Sequence, residues 1–129
     1  MIFPYEPKAI FLRAGGNDIN RGKTPEQVFA DFKEFVAKVR EKLPDTQIVF
    51  IGLSPSVARW KNAEKEKALN TMIEAFTRQN PRLAYVDTYA MTLDADGQPR
   101  PELFVADKLH FNADGYKLLV DRVRPFLPK

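Results

Sequence analysis

Cysteine is missing from the 129 residues, histidine occurs once, at His110, and serine twice, at Ser54 and Ser56. The first absence excludes disulfides, thiolate zinc sites and cysteine nucleophiles. The second leaves His110 as the one imidazole for proton transfer; with scattered carboxylates such as Asp87, Asp107 and Asp114 it makes a poor metal signature, and no metal or cofactor is expected. Long apolar runs are also lacking. The longest, Ile48 to Leu53, is six residues, against about 20 for a membrane-spanning helix. The opening MIFPYEPK has neither a basic region nor a long apolar stretch, so no signal peptide is expected; localisation stays open. Charge of one sign is scarce too: 20 Lys and Arg against 17 Asp and Glu leave +3. Basic and acidic residues alternate along the chain, which argues against a nucleic-acid partner. The densest basic cluster, Arg59, Trp60, Lys61, Lys65 and Lys67, is interrupted by Glu64 and Glu66 and reads as a solvated helix face.

What is present is an ordinary globular composition, 44% hydrophobic and 29% charged, of a length that suits one domain, residues 1–129. Lys8 to Ala14 carries an apolar centre and exits into Gly15-Gly16-Asn17-Asp18, so it reads as a buried strand followed by a turn. Thr24-Pro25-Glu26-Gln27 combines an N-cap, a proline at the first helical position and a capping-box glutamine. Val28, Phe32, Phe35, Val36, Val39 and Leu43 continue one helical stripe until Pro44. Gln47 to Leu53 predicts a second strand, Asn62 to Gln79 a second helix, and Leu83 to Asp87 a third strand. Thr88 to Leu109 reads as loop. A last helix is capped by Asn112 and presents Tyr116, Leu119, Val120, Val123 and Leu127 as its buried side. Strands alternating with amphipathic helices imply an α/β fold with a parallel sheet, whose ligands bind outside the carboxyl ends of the strands.

Three loops meet that edge, and each brings chemistry. Asp107 stands three residues before His110; a carboxylate so placed can fix the imidazole tautomer and free the other nitrogen as general base. Asn17, after two glycines, offers a side-chain amide to an oxyanion. Gly16 and Asp18 beside it are candidate substrate-binding positions. Ser54 and Ser56 follow the second strand; read alone they are a turn around Pro55, and read as chemistry they are candidate nucleophiles.

Gly15-Gly16-Asn17-Asp18 resembles the Gly-x-Asn-Asp block, and Asp107-Lys108-Leu109-His110 the Asp-x-x-His block, of the SGNH or GDSL esterases and lipases. The likeness runs through nearly the whole chain, including the closing helix begun by Asn112-Ala113-Asp114-Gly115-Tyr116. It implies oxyanion donation by Asn17, general base action by His110, orientation of that ring by Asp107, and small ester substrates. It also implies a three-layer α/β/α, flavodoxin-like fold with strand order 2-1-3-4-5, here reduced to its last three strands with helices on both faces. The family's nucleophile sits in a Gly-Asp-Ser block, and a glycine in a second block donates to the oxyanion. Both precede the Asn block. Only 14 residues precede Gly15, too few for two strand-plus-helix units of about 30 residues each. The expectation is therefore an N-terminally incomplete hydrolase, weakly active through Ser54, Ser56 or water activated by His110. The alternative is a non-catalytic remnant that self-associates. In both cases strand Lys8 to Ala14 becomes a sheet edge, and a homodimer pairing two such edges antiparallel is expected, with exchange of the Met1 to Pro7 arm as another route.

Overall fold

The computed structural model describes residues 8–127; the Met1 to Pro7 arm lies outside them. Three parallel strands, β1 (Ala9–Leu12), β2 (Gln47–Ile51) and β3 (Leu83–Val86), form one sheet in the order β1-β2-β3. Ile10 pairs with Ile48 and Leu12 with Phe50, while Phe50 pairs with Tyr85 across the other side. This register puts Ile10, Leu12, Ile48, Phe50, Leu83 and Tyr85 on one face, because successive strand residues alternate. Among the described residues β1 forms one edge of the sheet, as the family resemblance implies.

Two helices cover that face. Helix α2 (Pro25–Lys42) starts at the expected capping box: Thr24 Oγ1 accepts from the Gln27 N–H at 3.1 Å and Gln27 Oε1 accepts from the Thr24 N–H at 2.9 Å. Its stripe Val28, Phe32, Val36 and Val39 is buried against the sheet with Leu69 and Ile73 of α3 (Ala63–Gln79). Phe32 meets Phe50 edge to face at 5.2 Å and Phe76 at 6.1 Å, fixing both helices to β2. On the opposite face Val49 and Val86 are also buried.

Four expectations need correction. Gly15 to Asp18 is a single helical turn, α1 (Gly16–Asn20), rather than a plain turn. Gly15 caps it at φ 114°, and a Cβ there would meet Val28 Cγ1 at 2.9 Å and Leu69 Cδ2 at 3.1 Å; only glycine combines that backbone with that contact. Thr88 to Leu109 is not featureless: single helical turns occupy Ala90–Thr92 and Pro101–Leu103, and bridges join Leu93 to Pro99 and Phe104 to Phe111.

The third correction concerns α4 (Ala113–Val123). Asn112 caps it as expected, accepting from the Gly115 N–H at 3.0 Å. Its expected apolar stripe, however, is only partly covered: Tyr116, Val120 and Leu127 beyond the helix end are about half exposed, at 50, 48 and 50%, while Leu119 and Val123 are half-buried. Leu119, as expected, packs with Leu118 on a small cluster of Met91, Leu103, Phe104 and Phe111. Gly115 allows this approach, since a Cβ would come within 2.5 Å of the Leu103 carbonyl oxygen. Fourth, the basic cluster is not wholly solvated, because Glu66 is buried and Arg59 half-buried. No helix among the described residues is long and apolar enough to cross a membrane.

Candidate active site

The exits of β1 and β2 and the turn before α4 enclose a cavity of about 450 Å³. Gly16, Asn17, Asp18, Ser54, Ser56 and His110 all line it, together with Arg13, Arg21, Arg59 and Glu66. Asp107 stands behind His110.

The histidine side is built locally. Val105 to His110 closes a tight turn in which the Lys108 N–H donates to the Val105 carbonyl at 2.9 Å and Lys108 adopts φ 61°. Asp107 Oδ1 accepts from the N–H groups of Leu109 at 2.8 Å and His110 at 3.0 Å, which fixes its rotamer. Its Oδ2 is then 2.6 Å from His110 Nδ1. The hydrogen bond to the imidazole, with the two backbone donors, lowers the Asp107 carboxyl to about 2. An ionised Asp107 accepts a proton-bearing Nδ1, so Nε2 carries the free lone pair. The pair is exposed, with side-chain accessibilities of 69% for His110 and 47% for Asp107.

The amide side is built from distant residues. Arg59 Nη1 donates to Asn17 Oδ1 at 2.7 Å across 42 positions of sequence. Asn62 Nδ2 donates to Asn20 Oδ1 at 2.9 Å, tying α1 to the start of α3. Asn70 clamps the backbone where β2 ends: its Oδ1 accepts from the Leu53 N–H at 2.9 Å and its Nδ2 donates to the Leu53 carbonyl at 2.8 Å. The Ala58 N–H donates to the Lys108 carbonyl at 3.0 Å, linking this loop to the histidine turn.

Both serines are buried in the cavity wall. Ser54 Oγ donates to Thr88 Oγ1 at 3.0 Å, and Thr88 in turn donates to the Gly52 carbonyl. Ser56 Oγ accepts from the Arg59 N–H at 3.1 Å. Among the described residues neither hydroxyl bonds His110; both brace the loop.

Glu66 is the residue sequence reasoning passed over. It is 5% exposed, and its Oε1 is buried with no hydrogen-bond partner among the described residues. Burial pushes its carboxyl up to about 7, against the pull of Arg13 and Arg59. The signal was in the periodicity: Glu66 precedes Leu69 by three and Ile73 by seven, on the same stripe of α3. Among the described residues no group of three or more His, Asp or Glu could hold a metal.

The parallel sheet thus carries an amide at the exit of β1 and an Asp-x-x-His pair in one cavity region of an α/β domain. A sequence profile of the GDSL-like Lipase/Acylhydrolase family matches residues 2–118, and the chain belongs to that family. The alpha1 subunit of human platelet-activating factor acetylhydrolase IB is 30% identical over 113 residues, which cover 85% of this chain and 47% of that protein. The chain thus spans about half the length of the curated relatives it matches. Among solved structures, a candidate platelet activating factor from Streptococcus pneumonia superposes with a TM-score of 0.84 at 22% identity, over 94% of this chain and 60% of that one. A GDSL-like lipase from Bacteroides thetaiotaomicron gives 0.76 at 18% identity, over 93% and 62%. The two structures share the fold.

Proposed function

We propose that this chain is a weak carboxylic ester hydrolase for short or medium acyl groups. The observation that carries the reading is the 2.6 Å contact of Asp107 with His110 Nδ1, in a residue that lines the same cavity as Asn17. Arg59 occupies Asn17 Oδ1, so Nδ2 is the end left to donate to a developing oxyanion. His110 Nε2 takes a proton from the attacking oxygen and returns it to the leaving alcohol. Ionised Asp107 holds the ring and balances the imidazolium.

The family's Gly-Asp-Ser block has no counterpart in these 129 residues, where Ser54 and Ser56 are the two serines. Their hydroxyls are engaged with Thr88 and the Arg59 N–H. This favours water as the attacking group. Its rate is low, because nucleophile, base and oxyanion donors act as a unit. The test is exposure of purified protein to an ester-mimicking phosphonate, with adducts mapped by mass spectrometry beside aryl-acetate turnover. Turnover that His110→Ala abolishes, without an adduct, supports water. An adduct on Ser54 or Ser56 replaces water with that serine. Turnover indifferent to His110→Ala sinks the reading.

A second reading, a non-catalytic domain that self-associates, draws on the outward Tyr116, Val120 and Leu127 and on the edge position of β1. An edge strand unpaired on one side among the described residues, together with an exposed apolar helix face, favours a homodimer. Light scattering after size exclusion distinguishes the cases: a dimer without turnover supports this reading, and a monomer removes it.

A further inference from the structure

We propose that Arg59 is a positioning residue for the oxyanion donor, locking the Asn17 amide with Nδ2 toward the cavity, and that buried Glu66 is the counter-charge that keeps Arg59 in place. The inference rests on the hydrolase reading above for its catalytic consequence, though not for its geometry. An asparagine amide is nearly symmetric in shape, and a half-turn about its last bond exchanges donor and acceptor. Left alone, Asn17, which is exposed, presents an oxygen to the oxyanion in one of its two orientations, and that orientation repels. A guanidinium carries donors and no acceptor. Arg59 Nη1 at 2.7 Å from Asn17 Oδ1 therefore admits one orientation.

Arg59 itself needs an anchor, since its side chain is long and half-exposed. Its own N–H is held by Ser56 Oγ at 3.1 Å, which sets the backbone. Glu66 supplies the charge: it lines the same cavity as Arg59 and Arg13, and both cations favour its ionised form. Its Oε2 lies near Gly16, where a Cβ would be 3.9 Å away. Arg13 is engaged over the Phe111 ring, 5.3 Å from its centroid. The groups facing Glu66 are Arg13 from the end of β1, Arg59 from the loop after β2 and Tyr89 from the loop after β3; Asp18 and His110 share the cavity rim. A buried carboxylate with an unpartnered oxygen is costly for stability. Its place in the cavity that Arg59 also lines gives that cost a use.

The test reads Asn17 directly. Side-chain amide resonances of Asn17 in the 129-residue chain, assigned by their loss in Asn17→Asp, are compared in wild type, Arg59→Met, Arg59→Lys and Glu66→Gln. Arg59→Met is expected to shift them and Arg59→Lys to restore part of the shift. In wild type they should titrate with a midpoint near 7 that follows Glu66. That titration should persist in His110→Ala and vanish in Glu66→Gln. On an aryl acetate, Arg59→Met should lower kcat about tenfold with KM changed less than about twofold, as a misdirected oxyanion donor would. Resonances unmoved by Arg59→Met, or a titration lost in His110→Ala and kept in Glu66→Gln, overturn the proposal. Should Arg59→Met fail to fold, Arg59→Gln and Arg59→Lys decide the same point. A wild type with the expected resonances and no turnover refutes the hydrolase reading alone.

Discussion

The two sides of the cavity are held by opposite means. His110 is oriented by Asp107, three residues away in the same turn, and both are exposed. Asn17 is oriented by Arg59 across 42 positions, in a cavity that the buried Glu66 also lines and next to a loop start pinned by Asn70. A local, solvated device can be perturbed without disturbing the fold. A non-local one shares its supports with the core, so its orientation and the stability of the domain are linked.

Asp107→Asn is the sharpest blow at the local side. Loss of the charge that fixes the tautomer should lower turnover about a hundredfold while the thermal midpoint stays within about 2 °C, since an exposed pair contributes little to stability. A large fall in midpoint, read by differential scanning calorimetry, would erase the contrast. On the other side, Asn70→Ala strips partners from both the Leu53 N–H and carbonyl, and should destabilise by about 3 kcal/mol in urea unfolding. It should also displace the Asn17 amide resonances, because the loop bearing Arg59 begins at Leu53. Retention of both would show that the amide side does not depend on the core.

Glu66 sharpens the link further. Its carboxyl is raised by burial to about 7 from an ordinary value of 4.5, so the folded chain holds the proton more tightly than the unfolded one. Stability contributed by this group is present below pH 4.5 and lost as pH rises through 7, by about 3 kcal/mol in all. Glu66→Gln should flatten that slope in denaturation at pH 5, 6, 7 and 8. It should leave a protein less pH-sensitive in stability but looser at Asn17. The smallest effect is reserved for a site remote from the cavity: Thr24→Ala, which removes the α2 cap, should cost about 1 kcal/mol and leave turnover per folded molecule unchanged.

The same division explains what could be read from the chain alone. The capping box at Thr24, the stripe from Val28 to Val39 and the apolar run of β2 are short-range patterns, and each folds as its periodicity implies. The Asp-x-x-His spacing is short-range too, so the dyad was legible. The Arg59–Asn17 bond and the burial of Glu66 depend on how α1, the β2 loop and α3 meet, which no local pattern encodes; Arg59 and Glu66 therefore looked like members of a solvated face. Helix α4 shows another limit. Periodicity reveals that Tyr116 and Val120 share a face, but not whether anything lies opposite it, and among the described residues both stay about half exposed.

Whether Asn17 and His110 act on one ester in one cavity is decided by aryl-acetate turnover of wild type, Asn17→Ala and His110→Ala purified in parallel. Measurable wild-type turnover is expected, about a hundredfold less in Asn17→Ala, and the uncatalysed rate in His110→Ala, with all three equally folded by circular dichroism. Equal turnover in the three proteins would contradict their joint action.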